Sequence, residues 1–399
     1  MYSRSPTNRP QSAVSQLPSL TALRGLAALW VVLFHYTALY FPRLDITGYS
    51  SLIGKGYLAV DLFFMLSGFV MTHVYYRAFC ESVKENYRSF LVARVARLYP
   101  LHVVVLLLFV ATALLVQLLA YASTGTAEGI PLTGTRSWAA AIANLFMLQG
   151  LSAEHLSWNY PSWSISVEFM AYLAFPLILP TVWRASGRAK LAVLAAVCAA
   201  LSLFAYLSGG DFNQWGGPLV LLRCLPEFLL GTLIYSAYRA RLWSDWFAAD
   251  AVGLVVLAVA LLCLHLRAPD LLIVALFPVL VLAAVCNTGN VARAINVTPF
   301  IWLGEISYSL YLIHGFVQYA ADQALERFGV HDNADLSIGV SFALLVAMLA
   351  VCFAGAHLSY RGIEIGWRKH LRALLAANGA AKPKPAGAPT GLVSGAAGA

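Results

Sequence analysis

The stretch SLTALRGLAALWVVLFHYTALYF, Ser19 to Phe41, decides the fold because it is long and apolar enough to cross a bilayer as one helix. Its two ionisable side chains, Arg24 and His35, are eleven residues apart. They therefore lie on one helix face, about 16 Å apart along the axis. Ionisable groups inside a membrane span are costly and commonly mark a functional pathway. The alternative is structural, with Arg24 reaching the membrane interface and His35 bonding a neighbouring helix.

The composition of the whole chain indicates an integral membrane protein. Of 399 residues, 60% are hydrophobic and only 11% are charged, whereas soluble proteins carry about 25% charged residues. The net charge of +8 is typical of cytoplasmic loops and does not indicate nucleic-acid binding. The cysteines form no C-x-x-C pair, and we interpret them as free thiols without a disulfide framework or metal cluster.

Hydrophobic runs of about twenty residues predict about ten transmembrane helices. We place them at 19–41, 57–76, 99–121, 162–181, 191–208, 218–238, 249–266, 270–288, 299–320 and 336–360. Alternate connections are rich in Arg and Lys, and by the positive-inside rule these face the cytoplasm. The prediction is an all-α polytopic protein with both termini cytoplasmic.

The remaining segments complete the predicted organisation. The apolar run 139–151 is too short to cross the membrane, so it predicts a re-entrant or interfacial helix on the outer side. Residues 1–18 and 371–399 are predicted to be disordered tails, because they are polar and Pro-rich or rich in Ala, Gly and Pro. Residues 19–370 form one membrane domain.

Two groups of polar residues stand out at opposite ends of the predicted spans. In the outer half, the ionisable residues are His35, Asp61, Glu168, Arg223 and His314. They predict a polar reaction chamber, and the alternative is a set of ion pairs that bridge helices, such as Asp61 or Glu168 with Arg223.

At the inner end, Arg94 and Arg97 share a helix face near the start of the third span. Together with Arg24 they suit a polyphosphate, since guanidinium groups match phosphate oxygens. The alternative is ordinary cytoplasmic positive charge.

Six short motifs occur in a fixed order along the chain. They are Arg24, Gly25 and His35; Phe63, Phe64, Leu66, Ser67, Gly68 and Phe69; Arg94, Arg97, Leu98 and Pro100; Trp163, Ser164, Ile165, Ser166 and Glu168; Glu227, Phe228 and Gly231; and Gly304, Ser307, Tyr308, Tyr311, Leu312 and His314. In these motifs the chain resembles the integral-membrane acyltransferase family 3, whose members O-acylate bacterial cell-surface sugars. One departure is that no proline follows Glu364, which weakens any role for that residue.

The resemblance implies an enzyme of the cytoplasmic (inner) membrane of a bacterium. The donor would be acyl-CoA, in the form of acetyl-CoA. The acceptor would be a hydroxyl of a cell-envelope saccharide, either free or lipid-linked. A hydroxyl is a poor nucleophile, and a histidine with a pKa near 6.5 can accept its proton. We therefore assign His35 as general base, oriented by Glu168. Arg24, Arg94 and Arg97 would bind the CoA phosphates.

Further residues, from the motifs and from the outer group of ionisable residues, are assigned to the substrate site or acyl channel. They are Asp61, Ser67, Gly68, Trp163, Ser164, Ser166, Arg223, Tyr308, Tyr311 and His314. A covalent route through His35, Ser164 or Ser166 stays open. From another class of protein, a transporter of an anionic or lipid-linked substrate also fits the buried charges. No tightly bound cofactor and no metal site is expected, since the histidines lack ligand spacing.

Overall fold

The computed structural model of the protein describes residues 17–125, 132–152, 156–214, 216–367 and 369–370, with the backbone alone for Thr124 and Gln214. The helices are, in chain order, α1 (Pro18–Leu33), α2 (Ala59–Glu81), α3 (Val83–Thr124), α4 (Trp138–Leu145), α5 (Trp163–Arg184), α6 (Gly187–Leu207), α7 (Leu221–Arg239), α8 (Ser244–Phe247), α9 (Asp250–His265), α10 (Asp270–Cys286), α11 (Asn290–Ile295), α12 (Thr298–Arg327) and α13 (Ile338–Ser359). Wider π-helical turns continue α1 over Phe34–Tyr40 and α13 over Tyr360–Glu364. The predicted tail at 371–399 and residues 1–16 of the N-terminal tail lie outside the described residues.

The prediction of an all-helical, multi-pass membrane protein is confirmed. Within the described residues, eight helical segments are long and apolar enough to cross a membrane: Pro18–Tyr40, Gly56–Glu81, Val83–Ser123, Tyr160–Arg184, Gly187–Leu207, Gly217–Arg239, Thr298–Arg327 and Ile338–Ile365. The predicted seventh and eighth spans correspond to α9 and α10, apolar helices of only 16 and 17 residues. Each of the ten predicted spans therefore coincides with a helix, and two of these helices are short for a crossing.

The third helix is longer than its predicted span. The sequence predicts a membrane span over residues 99–121, with Arg94 and Arg97 on one helix face just before it. Instead α3 runs for 42 residues with Pro100 inside it. The phenol of Tyr308 donates a hydrogen bond to the carbonyl oxygen of Leu98 at 2.5 Å, which ties the turn around the proline to α12.

The short apolar run after α3 forms an 8-residue helix, α4, and a 3₁₀ turn over Gln149–Leu151. A ring nitrogen of His102 lies 2.8 Å from the carbonyl oxygen of Asn144. The hydroxyl of Ser166 donates to the carbonyl oxygen of Met147 at 2.6 Å, and Met147 has a positive φ of 56°. Hydrogen bonds from α3 and α5 thus hold a segment too short to cross the membrane.

Glycines bring two pairs of helices into close contact. A Cβ atom on Gly25 would lie 2.5 Å from the backbone nitrogen of Gly304, so α1 and α12 touch through their backbones. A Cβ on Gly68 would lie 1.9 Å from the carbonyl oxygen of Phe228, which joins α2 to α7 in the same way. Small residues at such positions are the usual basis of helix packing in membranes.

Helices α1, α3 and α12 run in the same direction. Arg24 contacts Ser307 and, further along both helices, His35 contacts His314. The same order holds between α3 and α12, where the paired residues are Leu98 with Tyr308 and Phe109 with Tyr319. Residues near Arg24 and residues near His35 therefore lie at successive levels of one parallel helix group.

Candidate active site

A cavity of about 260 Å³ lies between α1, α2, α3, α5 and α12. We call it the arginine cavity. It brings together many of the residues singled out in the sequence: Arg24, Ser67, Arg94, Arg97, Ser164, Glu168, Tyr308 and Tyr311. The remaining wall is mainly apolar, with Phe63, Val70 and Met71 among its side chains. Motifs separated by almost 300 residues of sequence thus meet at one place.

Three arginine side chains, those of Arg24, Arg94 and Arg97, line the arginine cavity. Arg24 donates to the hydroxyl of Ser307 at 3.5 Å. Arg94 donates to the hydroxyl of Tyr75 at 3.2 Å, and its guanidinium carbon lies 5.5 Å from the centre of that ring. Within the described residues, neither Arg24, Arg94 nor Arg97 forms an ion pair. Unpaired guanidinium groups around a cavity are suited to bind an anion, and phosphate in particular.

Glu168 lies in the arginine cavity and not beside His35. Its carboxylate accepts hydrogen bonds from the hydroxyl groups of Ser67 and Tyr172, and these two hydroxyls are 2.7 Å from each other. The expected contact between Glu168 and the His35 imidazole is therefore absent from the hydrogen bonds of the described residues. The physical reason is that α5 directs Glu168 toward α2, where hydroxyl donors satisfy its charge.

A second histidine takes the place next to His35. The Nδ1 atom of His35 lies 3.2 Å from Nε2 of His314, and the rings stack with centroids 5.0 Å apart and planes at 26°. His314 is fully buried, while His35 is partly exposed. The Nε2 atom of His35 has no hydrogen bond to any described residue, so it is free to accept a proton from a ligand.

The backbone around His35 is also unusual. Residues Phe34–Tyr40 form a π-helix, a conformation that is rare and frequently occurs at functional sites. The wider turn shifts the side chains that follow Leu33 away from the stripe expected of a regular α-helix. The sequence alone predicts a continuous helix here, and no feature of Phe34–Tyr40 identifies the π-helix in advance.

The histidine pair lies between two tyrosines that line two different cavities. On one side, the ring of Tyr311, which lines the arginine cavity, is 5.7 Å from the ring of His314. On the other side, the ring of Tyr160 is 4.9 Å from the ring of His35, and Tyr160 lines a second cavity. The pair therefore lies between one wall residue of each cavity, and neither histidine is itself a lining residue of these two cavities.

Asp61 and Arg223 form a buried ion pair, which was the alternative to a single polar chamber. Two nitrogens of Arg223 bond the Asp61 carboxylate at 2.7 and 2.6 Å. Arg223 also donates to the carbonyl oxygen of Phe212 at 2.8 Å, and its guanidinium carbon is 5.5 Å from the ring centre of Trp163. The five ionisable groups predicted for one chamber are thus divided between this pair, the histidine pair and Glu168.

The other predicted site residues divide between cavity and framework. The hydroxyl groups of Ser164 and Tyr311 form a hydrogen bond of 2.7 Å in the wall of the arginine cavity. Ser166 accepts from the backbone nitrogen of Gly150 at 3.2 Å, besides its bond to Met147, and so holds the segment after α4. Gly68 packs against α7. Of the two serines considered for covalent transfer, Ser164 alone lines this cavity.

Several residues of the site were not assigned to it by the sequence analysis, or were given another role. Tyr172 and Ser307 line the arginine cavity, and Tyr160 stacks against His35. His314 was placed with the substrate channel, whereas its contact is with the His35 imidazole. The sequence contained a signal for Tyr172, because it lies one helical turn after Glu168. The pairing of His35 with His314 across α1 and α12 has no signal in the local sequence.

The sequence matches a known protein family. The family model described as an acyltransferase domain, for acyltransferase family 3, matches residues 17–357. The chain therefore belongs to acyltransferase family 3, and it is an O-acyltransferase. This result favours the enzyme over the transporter alternative. No solved structure is detectably similar to the chain.

Curated relatives carry related names. "Acyltransferase MdmB" of Streptomyces mycarofaciens is 27% identical over 378 residues, covering 88% of this chain and 91% of the relative. A "Putative O-acetyltransferase" of Staphylococcus aureus strain COL is 24% identical over 88% of this chain and 57% of its own length. "Putative peptidoglycan O-acetyltransferase YrhL" of Bacillus subtilis is 23% identical over 75% of this chain and 48% of its own length. The chain thus spans about half the length of the latter two relatives.

Proposed function

We propose that this protein transfers an acyl group, acetyl in the simplest case, from cytoplasmic acyl-CoA to a hydroxyl of a cell-envelope saccharide. The observation that carries the proposal is the histidine pair between the arginine cavity and a second cavity. A transferase between two substrates that arrive from opposite sides requires a base at such a junction. The Bacillus relative, named for peptidoglycan O-acetylation, favours a saccharide as acceptor.

In this proposal the donor occupies the arginine cavity. Arg24, Arg94 and Arg97 bind the phosphates of CoA, and the pantetheine arm extends along α1 toward His35. From Arg24 to His35 is about 16 Å along an α-helix, a length suited to that arm. Ser67, Tyr172 and Glu168 then form a polar wall beside the arm.

The transfer is direct. Nε2 of His35 accepts the proton of the sugar hydroxyl while the oxygen attacks the thioester carbonyl carbon. The tetrahedral intermediate collapses, the carbon–sulfur bond breaks, and the His35 imidazolium returns the proton to the CoA thiolate. His314, bonded to Nδ1 of His35, positions the ring and fixes its tautomer. The hydroxyl of Tyr311 donates to the carbonyl oxygen of Pro161 at 2.9 Å, and it would stabilise the oxyanion by turning away from that carbonyl.

We also propose the topology that this reaction requires. Ten crossings, including α9 and α10, with both termini in the cytoplasm, place the N-terminal ends of α1, α3 and α12 on the inner side. The arginine cavity then faces cytoplasmic acyl-CoA, and the second cavity faces the envelope. The membrane in question is the cytoplasmic membrane of a bacterium.

The test uses the purified full-length chain in lipid nanodiscs with radiolabelled acetyl-CoA. We expect slow hydrolysis of acetyl-CoA without an acceptor and label transfer when envelope saccharides are added. A protein that neither hydrolyses acetyl-CoA nor labels any saccharide would contradict the proposal. Mass spectrometry of envelope glycans from cells with and without the gene identifies the product, and His35→Ala expressed at the same level is the matched control.

A further inference from the structure

The second cavity, about 330 Å³ in volume, lies on the other side of the histidine pair from the arginine cavity. We call it the aromatic cavity. It lies between the end of the first span, α3, the segment before α5, and the second half of α12. Because α1, α3 and α12 are parallel, all three contribute residues that follow those of the arginine cavity. The two cavities are therefore stacked along the same helices.

The inner end of the aromatic cavity offers flat rings and a planar amide. The ring of Tyr160 stacks edge-on against His35 at 4.9 Å, and its hydroxyl donates to Oε1 of Gln318 at 2.7 Å. The amide nitrogen of Gln318 has no hydrogen bond to a described residue. The side chain of Tyr319 is only 5% exposed, and its hydroxyl has no partner among the described residues. Both groups belong to residues of the cavity wall, and the Tyr160 ring of the same wall contacts His35.

The outer end of the aromatic cavity is charged and exposed. Asp322 and Asp332 lie there with Arg136. The guanidinium carbon of Arg136 is 4.5 Å from the centre of the Tyr319 ring, so this cation is held over an aromatic face. Two carboxylates against one guanidinium leave the mouth with excess negative charge, which repels an acidic ligand.

We propose that the aromatic cavity is the acceptor subsite, and that it binds a sugar ring carrying hydroxyls but no acidic group. Aromatic side chains combine a broad apolar face with a polar edge, which suits the apolar and hydroxyl-bearing sides of a sugar. The amide of Gln318 and the hydroxyl of Tyr319 bind ring hydroxyls. One hydroxyl then lies beside Tyr160, within reach of Nε2 of His35. This inference rests on the proposed function and adds to it the place and charge class of the acceptor.

The test is binding, measured by saturation-transfer NMR on the full chain in nanodiscs without sugar-based detergent. The probes are methyl β-D-glucopyranoside and its uronic-acid analogue, methyl β-D-glucopyranosiduronate. We expect the neutral glycoside to receive saturation and the acidic one to receive little. Gln318→Leu should weaken binding of the neutral probe roughly threefold to tenfold, the usual effect of losing one or two hydrogen bonds.

Two further variants make the result specific. Gln323→Leu applies the same substitution to a residue of α12 outside the cavity lining, and we expect binding equal to that of the unmodified protein. Asp322→Asn changes an exposed residue of the mouth and should increase binding of the acidic probe. Equal binding of the two probes, or no loss in Gln318→Leu, would overturn the proposal.

The inference and the proposed function fail in different ways. Acetyl-CoA turnover is followed on the same samples. One outcome is that the protein turns over acetyl-CoA but shows no Gln318-dependent binding of the neutral glycoside. That outcome would overturn the acceptor subsite alone. Binding that depends on Gln318, in a protein that never turns over acetyl-CoA with any saccharide, would overturn the proposed function and support the sugar site.

Discussion

Nδ1 of His35 and Nε2 of His314 lie 3.2 Å apart across the contact between α1 and α12. One ring nitrogen of His35 is thus committed to a partner, and the other is free for a substrate. Gly25 and Gly304, which bring the two backbones together, lie on the same pair of helices. The glycine contact and the imidazole contact therefore join the same two helices at successive levels.

The first prediction concerns His314. His314→Ala should reduce kcat roughly tenfold to hundredfold, the usual cost of losing a residue that orients a functional imidazole, while the KM for acyl-CoA stays unchanged. His314→Gln keeps a hydrogen-bonding group and should recover much of the lost rate. Steady-state kinetics of both variants checks this. A loss that is equal in the two variants would show that hydrogen bonding to His35 is not the role of His314.

The second prediction concerns the arginine cavity. Arg97→Ala should raise the KM for acyl-CoA and reduce its dependence on salt, because one phosphate contact is lost. The KM for the acceptor should not change. Arg188→Ala, at an exposed position of α6, is the matched control and should leave both constants unchanged. A change confined to the acceptor KM would remove Arg97 from the donor site.

The third prediction concerns the buried ion pair of Asp61 and Arg223. Asp61→Asn leaves the Arg223 guanidinium buried without its counter-charge, which costs about 3–5 kcal/mol. The double variant Asp61→Leu with Arg223→Met removes both charges and should unfold at a higher temperature than Asp61→Asn. Thermal unfolding in detergent measures both. If the double variant unfolded at the lower temperature of the two, the ion pair would add net stability to the fold and would not merely neutralise a buried charge.

The fourth prediction concerns topology and tests whether α9 and α10 cross the membrane. Reporters fused at Gly187 and Arg241 should read as cytoplasmic, and those at Gly210 and Asp332 as extracytoplasmic. A reporter at Arg267, between α9 and α10, should also be extracytoplasmic if both helices cross. A cytoplasmic signal at Arg267 would reduce the protein to eight crossings without inverting α12.

The helices were predictable because hydrophobic length determines them, and each predicted span coincides with a helix. The residues of the arginine cavity could also be predicted from the sequence, since Arg24, Arg97 and Glu168 are ionisable groups in apolar surroundings. The partner of each group was not predictable. Glu168 bonds Ser67 and Tyr172, and His35 bonds His314, because helix rotation and the π-helix determine which side chains meet, and neither leaves a periodic signal in the sequence.

The aromatic cavity shows a second limit of sequence analysis. Its residues come from the end of the first span, from α3, from the short connections before α5 and after α12, and from the second half of α12 itself. Tyr160, Gln318 and Asp322 each appear in the sequence as ordinary polar residues near an interface. Their relation to His35 follows from the parallel arrangement of α1 and α12, which hydropathy does not reveal.

The last prediction concerns His35. His35→Ala should leave CoA binding near normal and lower acyl transfer by about 10² to 10⁴, the usual contribution of a general base. His35→Gln keeps the size of the side chain and a hydrogen bond but cannot accept the proton, so it should be nearly as inactive. The measurement is the transfer rate at saturating donor, on protein shown to bind CoA.

The pair of substitutions separates chemistry from structure at this position. If His35→Gln restores most of the activity, His35 holds its neighbours in place and the base must be another group, with Glu168 as the next candidate. A double variant of His35 and His314 gives a second test of the role of His35. When His35 is the base, His314→Ala in a His35→Ala background should cause little further loss, because effects of residues that act as one unit are not additive. Independent, additive losses would show that the two imidazoles do not act together.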